Sequence, residues 1–367
     1  MIDSLVLINI DWYLYSHRYE VLEVLQKKYQ VKIATLITED ERLNNMVSFD
    51  FRRESKSPLT ELGVLFRLRK LIKESNPKIL HLVSIKPLIY GNMLARLMNI
   101  TTVSAVSGMG SVLASNNNSF SLTSILLKWG VSGNNRKIFI FQNPQDQDDF
   151  INKFCPENYS LAQTRGSGIN LSHWAYQQPV VNKSLINITL SSRIIREKGI
   201  FEFHEAAKLL QNKWCGKAVF HIFGRLDEVN PNSISRTEIE DLKIPGFFEW
   251  FGYCENVMKV LGESDIVVLP SYYREGIPKS LIEACAIGRP IVTTEATGCR
   301  ECVDDGINGF RVPIKDAVAL SEAMEKLLLN EALRISMGKN SRLKAEREFD
   351  VNGVIEKHLE IYELLLN

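Results

Sequence analysis

The sequence predicts an α/β fold made of two doubly wound domains with parallel sheets. Short continuous apolar runs, such as residues 5–10 and 265–269, alternate with longer segments of helical spacing. Such runs are typical of parallel strands that helices cover on both faces. The alternation restarts near residue 185, after a stretch with several glycines and a proline, and 367 residues are too many for most single cores. These observations together predict two domains of ordinary size.

The first domain is predicted to span residues 1–170 and the second residues 171–350, with a hinge at the glycines of 164–172. The last helix, 351–367, is expected to cross back onto the first domain. Strands are predicted at 5–10, 31–36, 78–84, 101–106 and 138–141, and again at 185–190, 218–224, 248–252, 265–270 and 290–294, with a turn and a strand at 304–310. Helices are predicted at 18–29, 59–74, 120–129, 144–153, 278–288, 317–328 and 331–349.

The charge is unevenly distributed although the net charge is only +1. Residues 1–170 carry a net charge of +5 and the remainder −4. A mildly basic first half fits a surface that faces anionic lipid or a diphosphate, and an excess of this size is also compatible with no special role. The helix at 59–74 is amphipathic and basic, so it fits either a membrane surface or an ordinary half-buried helix.

The composition indicates a protein that stays in the cytosol. No segment reaches the roughly 18 to 20 consecutive apolar residues of a membrane span, and the first residues lack a basic leader. The six cysteines are scattered, which favours a reducing compartment. Cys299 and Cys302 form a lone C-x-x-C without a second pair of ligands, so zinc or redox use is disfavoured.

The sequence is organised around residues 265–294, where two carboxylates have different settings. Glu275 lies in a predicted loop, whereas Glu283 lies in the apolar helix that follows. An unpaired buried carboxylate costs several kcal/mol, so Glu283 requires fixed donors. The hydroxyl groups of a ligand, or a buried Arg or Lys, could be these donors.

The start of the same helix offers a place for a phosphate. The helix start, with its backbone N–H groups and positive dipole end, lies between the two glutamates at Gly276, Ile277, Pro278 and Lys279, of which Pro278 has no N–H to donate. A second set of positive groups, Arg193 and Lys198, lies in a predicted strand-to-helix loop, where two cations can converge on one diphosphate. Solvated loop cations are the alternative interpretation.

The pattern Leu-Pro-Ser-Tyr-x-x-Glu-Gly-Ile-Pro-x-Ser-Leu-Ile-Glu-Ala resembles the signature of the retaining family 4 glycosyltransferases. These enzymes have the GT-B fold, in which two Rossmann-like domains face across a cleft. The resemblance implies that Glu275 lies against the donor sugar and that Glu283 binds the ribose hydroxyls of the nucleotide. It also implies that the amides of 276–279 face the distal phosphate, and that Arg193 and Lys198 neutralise the leaving nucleotide.

The resemblance extends to two further turns of the second half. Gly224 and Arg225 resemble the family's turn after the second strand of that domain. Phe251 belongs to the next strand and its loop, where such enzymes usually read the nucleotide base through backbone groups. We therefore assign all three to donor binding.

The loop predicted at residues 11–18 follows the first strand and is unusually aromatic and polar. Ligands of open α/β sheets bind at the carboxyl ends of strands, so Tyr15, Ser16, His17 and Arg18 are candidate site residues. The loop resembles the Leu-Ser-His-Arg type of a subgroup that acts on polyprenyl-diphosphate-linked sugars. His17 is then an acceptor contact or a proton carrier, and a helix-capping role is the alternative.

The turn after the strand at 101–106 is a second candidate on the acceptor side. Ser107, Gly108 and Gly110 lie there, and the glycines would allow the backbone to approach a ligand closely. A tight turn without a ligand is the alternative interpretation.

The sequence therefore predicts a retaining hexosyltransferase. It would transfer a hexose or N-acetylhexosamine from a nucleotide sugar, expected to be UDP-linked, to a polyprenyl-diphosphate-linked sugar in O-antigen, capsule or related glycan synthesis. Its place would be the cytoplasmic face of the membrane, as a peripheral protein without nucleic-acid partners. No acidic D-x-D-like cluster occurs in a loop at the predicted site, so neither a metal nor another cofactor is expected.

Three alternatives differ in function. A nucleotide-sugar 2-epimerase shares this architecture but would need general bases in the first domain, where His17 and His81 are the only histidines. A catalytically silent binding subunit would not need the charged residues named above. A dinucleotide oxidoreductase is disfavoured because no Gly-x-Gly-x-x-Gly follows a predicted strand.

Overall fold

The computed structural model describes residues 1–38, 43–51, 57–108, 122–227 and 230–367. The chain forms two compact units, Met1–Gly168 with Val351–Asn367, and Ile169–Asp350. Each unit is a parallel sheet covered by helices on both faces. The predicted α/β fold with two Rossmann-like, doubly wound domains is therefore confirmed.

The first unit contains a seven-stranded sheet in the order β3-β2-β1-β4-β5-β6-β7. Its strands are β1 (Ile2–Ile10), β2 (Val31–Leu36), β3 (Met46–Ser48), β4 (Pro77–Val83), β5 (Thr101–Val106), β6 (Lys137–Phe141) and β7 (Tyr159–Gln163). All neighbouring strands pair in parallel. The strand order changes direction between β1 and β4, and this switch point is where open α/β sheets bind ligands.

Helices cover this sheet on two faces because alternate residues of each strand point to opposite sides. The helices Pro58–Ser75, Ile85–Met98, Leu122–Val131 and Pro144–Phe154 share one apolar core. The helices Asp11–His17, Tyr19–Lys28 and Val351–Leu366 contribute to the other. The C-terminal helix therefore completes the core of the first unit.

The second unit contains a six-stranded sheet in the order β10-β9-β8-β11-β12-β13. Its strands are β8 (Ile186–Ser191), β9 (Ala218–Phe223), β10 (Phe248–Trp250), β11 (Ile266–Leu269), β12 (Ile291–Thr294) and β13 (Gly309–Val312). Its helices are Ile200–Trp214, Arg236–Asp241, Val257–Glu263, Lys279–Ile287, Ala317–Leu329 and Glu331–Lys344, followed by a π-helical turn at Ala345–Phe349. Here the switch point lies between β8 and β11.

Residues 11–17 form a short helix, so the prediction of a loop there was wrong. A tertiary contact explains the difference. Asp11 is fully buried at the first position of the helix, and its carboxylate accepts hydrogen bonds from Trp12 N (2.8 Å) and Thr38 Oγ1 (2.7 Å). A carboxylate at this end also interacts favourably with the helix dipole.

β3 and β7 were not predicted from the sequence, and neither has a strong apolar pattern. β3 has only three residues, and β7 is an edge strand with mostly exposed side chains. Burial on both faces is the signal that marks the other strands, and it is absent here. Within the described residues, no helix is both long and apolar enough to cross a bilayer.

A buried polar cluster connects the C-terminal helix to the sheet of the first unit. The Tyr362 hydroxyl lies 2.9 Å from Ser4 Oγ and 3.0 Å from His81 Nδ1. The His81 and His358 rings stack with centroids 5.6 Å apart. Burial, together with the nearby Arg18 cation, lowers the pKa of His358 to about 4, and burial also lowers the pKa of His81.

This cluster predicts that acid destabilises the first unit. His358 titrates near its usual value of about 6.5 when unfolded, so the stability present above that pH falls as the pH decreases towards about 4. The loss amounts to about 3 kcal/mol for this residue. Calorimetric unfolding at about pH 7 and about pH 4.5 should show a smaller acid-induced decrease in Tm for His358→Gln than for the wild type.

The exposed His173 of the second unit provides the control. His173→Gln should keep the wild-type dependence of Tm on pH. An equal acid-induced decrease in wild type and His358→Gln would contradict the role assigned to His358.

Candidate active site

A nearly buried ion pair lies at the switch point of the second unit. Lys198 follows β8 in the 3₁₀ turn Arg196–Lys198, and Glu275 lies in the loop after β11. Because β8 and β11 are neighbours, their carboxyl ends bring the two side chains together. Lys198 Nζ lies 2.6 Å from both carboxylate oxygens of Glu275, and the side chains are only 8% and 16% exposed.

Further hydrogen bonds fix the two loops that carry this pair. Ser271 Oγ lies 3.1 Å from Glu275 Oε1 and 3.0 Å from the carbonyl oxygen of Glu197. The Tyr272 amide donates to the same Glu197 carbonyl at 3.0 Å. The loop after β11 is therefore held against the turn after β8, which orients Glu275 before any ligand arrives.

Two glycines allow the backbones around this pair to come into direct contact. A Cβ atom at Gly298 would lie 1.8 Å from the carbonyl oxygen of Gly276, and one at Gly199 would lie 2.1 Å from that of Pro270. Both glycines also have positive φ, at 92° and 77°. A side chain at either position would displace the loop that carries Glu275.

Arg193, the second predicted cation, has a different partner. Its Nη1 donates to Asp227 Oδ2 at 2.8 Å, and its side chain remains 41% exposed. Each cation is therefore oriented by its own carboxylate: Lys198 by Glu275, and Arg193 by Asp227. That both would bind one diphosphate stays a prediction.

The helix Lys279–Ile287 begins and ends where the sequence predicts. Pro278 is its N-cap, no side chain caps the first turn, and Gly288 ends it in the left-handed conformation. Backbone N–H groups at this end, including those of Gly276 and Ile277 before the helix, are thus candidates for anion binding.

Glu283 is partly exposed, whereas the sequence predicted that it would be buried. Enough protein surrounds it that loss of hydration raises its pKa to about 7, with a smaller opposing effect from Lys279. In the part of the chain that the structure describes, no hydrogen bond to its carboxylate is found. Glu283 is therefore an acceptor without a protein donor, as a residue that binds ligand hydroxyls would be.

The predicted donor-side residues Gly224, Arg225 and Phe251 line one cavity of about 880 Å³ at the carboxyl ends of β9 and β10. The Arg225 guanidinium lies 4.4 Å from the centroid of the Tyr253 ring. Phe251 and Tyr253 are 49% and 58% exposed. Tyr253 was missed in the sequence, although its place two residues after Phe251 in an aromatic segment was a signal. Exposed aromatic rings beside a cation suit a planar, electron-rich ligand.

The cysteine pair does not form a disulfide. Cys299 and Cys302 are buried free thiols, and burial raises the pKa of Cys299 to about 12. Among the residues whose placement is described, no group of three or more His, Cys, Asp or Glu side chains is arranged to hold a metal ion.

In the first unit, the structure brings the residues of the short helix and the turn after β5 together. Ser107 Oγ lies 2.9 Å from the Tyr13 hydroxyl, and the Tyr13 ring stacks on His17. Ser16 Oγ lies 2.6 Å from His17 Nδ1. Tyr13 was not singled out in the sequence analysis, although its i,i+4 spacing to His17 on a helix was a signal.

The remaining predicted acceptor residues differ in their environments. Tyr15 is partly buried, and its hydroxyl donates to Met46 Sδ at 3.6 Å. Gly108 has a positive φ of 75°, as a tight turn requires, and Gly110 lies outside the described residues. Arg18 is only 3% exposed and acts electrostatically on His81 and His358, so it lies in the core beside the C-terminal helix.

Comparisons with known proteins identify the class. Residues 5–143 match the family model "Glycosyl transferase 4-like" and residues 177–344 match "Glycosyl transferases group 1". The structure is similar to a sucrose-phosphate synthase from Thermosynechococcus elongatus (TM-score 0.79, 19% identity, 99% of each chain). It is also similar to Anabaena Alr3699/HepE in complex with UDP and glucose (TM-score 0.75, 14% identity, 99% of this chain and 100% of that one).

Two relatives match along most of the sequence. The N,N'-diacetylbacillosaminyl-diphospho-undecaprenol α-1,3-N-acetylgalactosaminyltransferase of Campylobacter jejuni is 26% identical over 96% of both chains. The UDP-Gal:α-D-GlcNAc-diphosphoundecaprenol α-1,3-galactosyltransferase of Escherichia coli is 24% identical over 83% of this chain and 80% of its own. The chain is a glycosyltransferase of the GT-B fold. It belongs to the glycosyltransferases whose first half is 4-like and whose second half is of group 1.

The raised pKa of Glu283 predicts that this residue destabilises the protein above neutral pH. The folded state holds the proton up to about pH 7, so the stability that protonation provides at acid pH is lost as the pH rises through that value. Glu283→Gln has no carboxyl group to ionise, so it avoids this loss of stability. Its Tm should exceed that of the wild type at about pH 8, by the equivalent of about 1 to 2 kcal/mol after allowance for partial exposure, and should match it at about pH 5.

Glu238 is the matched control because hydrogen bonds from Ser235, and then from Arg196, lower its pKa to about 2. Glu238→Gln should therefore lower the Tm at about pH 8. A Glu283→Gln variant with the wild-type Tm at both pH values would refute the assignment.

Proposed function

We propose that the protein transfers a hexose or N-acetylhexosamine from a UDP-sugar to a polyprenyl-diphosphate-linked sugar, with retention of the anomeric configuration. The observation that carries the proposal is the Lys198–Glu275 pair at the switch point of the second unit. The start of the helix Lys279–Ile287 follows it in the chain, and so does Glu283, whose carboxylate accepts no hydrogen bond from the described residues. These groups provide positive charge for a diphosphate and an acceptor for hydroxyl groups.

The donor-side roles follow from the charge and hydrogen-bonding capacity of these groups. Glu283 would accept hydrogen bonds from the ribose hydroxyls, since its carboxylate has no protein donor among the described residues. The backbone N–H groups within 276–279, apart from Pro278, would bind the distal phosphate. The cavity that contains Arg225, Phe251 and Tyr253 would receive the base.

The reaction must stabilise a departing diphosphate and a sugar cation that develop at the same time. Lys198 and Arg193 are preorganised positive groups for the diphosphate, and such groups contribute most where water is excluded. Glu275 would position the donor sugar and offset its developing charge. The acceptor hydroxyl would attack from the face that the diphosphate leaves, with a phosphate oxygen accepting its proton.

We further propose that this charge stabilisation requires no metal. Lys198, Arg193 and the helix N-terminus supply the positive groups that a divalent cation would otherwise supply. Turnover should therefore be unaffected by EDTA and by added Mg²⁺ or Mn²⁺. A loss of activity with EDTA that Mn²⁺ restores would contradict this proposal.

The acceptor assignment is supported by the relatives that match along most of this chain. The Campylobacter jejuni and Escherichia coli enzymes are both named for undecaprenol-diphosphate-linked acceptors. The relatives named for amylovoran and capsular polysaccharide biosynthesis match about half of this chain, and they fit the same class of process. Such an acceptor would require the protein to work at the cytoplasmic face of a membrane.

The surface of the first unit offers a place for that membrane contact. On the helix Pro58–Ser75, Leu59, Leu62 and Phe66 are 81%, 51% and 71% exposed. The same helix carries four cationic side chains: Arg67, Arg69, Lys70 and Lys73. Apolar residues with flanking cations fit the interface of an anionic bilayer. We propose that this face rests on the membrane.

A donor screen tests the function directly. The purified protein is incubated with UDP-, GDP- and dTDP-sugars, with and without a short-chain polyprenyl-diphosphate sugar, and products are read by mass. Transfer that requires the lipid acceptor supports the proposal. An isomerised sugar without transfer would instead indicate an epimerase, and tight nucleotide binding without any turnover would overturn the acceptor class.

The ion pair predicts strong effects on turnover. Glu275→Gln and Lys198→Ala should each reduce kcat by at least ~100-fold, because each removes a charge that the transition state needs. The exposed pair of Glu205 and Lys208 provides matched controls, so Glu205→Gln and Lys208→Ala should keep wild-type rates. Wild-type turnover in both site variants would refute the site.

The proposed membrane face predicts an effect on binding to vesicles. Leu62→Glu with Phe66→Glu should reduce sedimentation with anionic vesicles by about 10-fold or more, because two charges replace the exposed apolar groups. Leu343→Glu is the control, since Leu343 is 58% exposed in the second unit. Equal losses in both variants would contradict the assignment of this face.

A further inference from the structure

The short helix Asp11–His17 carries an aromatic pair that the proposed reaction leaves unassigned. The Tyr13 and His17 rings are stacked, with centroids 4.4 Å apart and planes inclined by 14°. Residues four apart lie on the same side of a helix, which brings the two rings together. The orientation of the His17 imidazole is therefore coupled to the position of the Tyr13 ring.

The Tyr13 hydroxyl connects this helix to another strand end. It lies 2.9 Å from Ser107 Oγ, which follows β5. In the sheet β4 lies between β1 and β5, so this contact passes over the carboxyl end of β4. Asp11 fixes the start of the same helix through Thr38, which follows β2. The helix that carries His17 is thus held from both sides of the switch point of this sheet.

The neighbouring serine also contacts the His17 ring. Ser16 Oγ lies 2.6 Å from His17 Nδ1 and donates to the Trp12 carbonyl oxygen at 2.8 Å. This hydroxyl therefore connects the imidazole to the backbone of its own helix.

We propose that Tyr13 is a positioning residue of the acceptor side. It holds the His17 ring by stacking and the helix by its bond to Ser107, while Ser16 Oγ contacts Nδ1 of the same ring. The imidazole held in this orientation forms a hydrogen bond with a hydroxyl of the acceptor sugar. The inference rests on the proposed transfer to a sugar acceptor, and it adds a positioning residue to it.

The kinetic test separates the two contacts of Tyr13. Tyr13→Phe keeps the stack and loses the hydrogen bond, so kcat/KM for the lipid acceptor should fall about 2- to 10-fold. Tyr13→Leu loses both, and the fall should reach about 10- to 100-fold. In each variant the Kd for the UDP-sugar should stay within about 2-fold of the wild type, because the donor residues lie in the second unit.

A double-mutant cycle tests the bond to Ser107. Ser107→Ala should match Tyr13→Phe, and the double variant should be no worse than either single one, since both remove the same contact. Tyr159→Phe, at the amino end of β7, is the control and should keep wild-type kinetics. Additive losses, or a wild-type kcat/KM in Tyr13→Leu, would overturn the proposal.

An NMR readout remains informative even if the proposed function fails and no acceptor is turned over. Stacking shifts the carbon-bound ring protons of His17 upfield, and the shift should persist in Tyr13→Phe and disappear in Tyr13→Leu. The Nδ1 shift of His17 should change in Ser16→Ala, because that variant removes the hydroxyl that contacts Nδ1. Identical His17 spectra in wild type, Tyr13→Leu and Ser16→Ala would overturn the positioning role independently of catalysis.

Discussion

The second unit depends on the ion pair between Lys198 and Glu275. The pair is almost inaccessible to water, and such pairs contribute little net stability because desolvation offsets their attraction. Removing either partner would leave a charge with little hydration, which is costly. The pair is therefore better explained by chemistry than by stability: it fixes a cation and a carboxylate at the carboxyl ends of β8 and β11, where the proposed donor would bind.

The surrounding backbone is arranged to make that pair possible. Gly199 and Gly298 allow loops from different strands to approach more closely than a side chain would permit. Ser271 then lies between Glu275 and the Glu197 carbonyl. Because the groups are already oriented in the folded protein, the free-energy cost of arranging them is met during folding. The reaction itself then requires less rearrangement.

Both units place functional side chains at the switch point of their sheet, but the chemistry of those side chains differs. In the second unit the switch point carries charged groups, which suits a diphosphate donor. In the first unit it carries hydroxyl and aromatic groups, Tyr13, Ser107 and His17, which suit a sugar hydroxyl. The C-terminal helix supports the first unit through Tyr362 and His358, because it completes the core beneath the strand ends.

The sequence by itself determined the features that depend on neighbouring residues. Pro278 and Gly288 predicted both ends of a helix, and the apolar runs predicted most strands, because caps and strand burial are encoded locally. The order of motifs along the chain was also sufficient to predict the family.

Only the tertiary structure decided which distant groups meet. Lys198 and Glu275 are 77 residues apart, and Tyr13 and Ser107 are 94 apart, so their contacts depend on which strands are neighbours. The helix at Asp11–His17 requires Thr38, and Arg18 is buried by a helix from the other end of the chain. Local propensity contains no information on such partners, since strand order is set by the packing of the whole sheet.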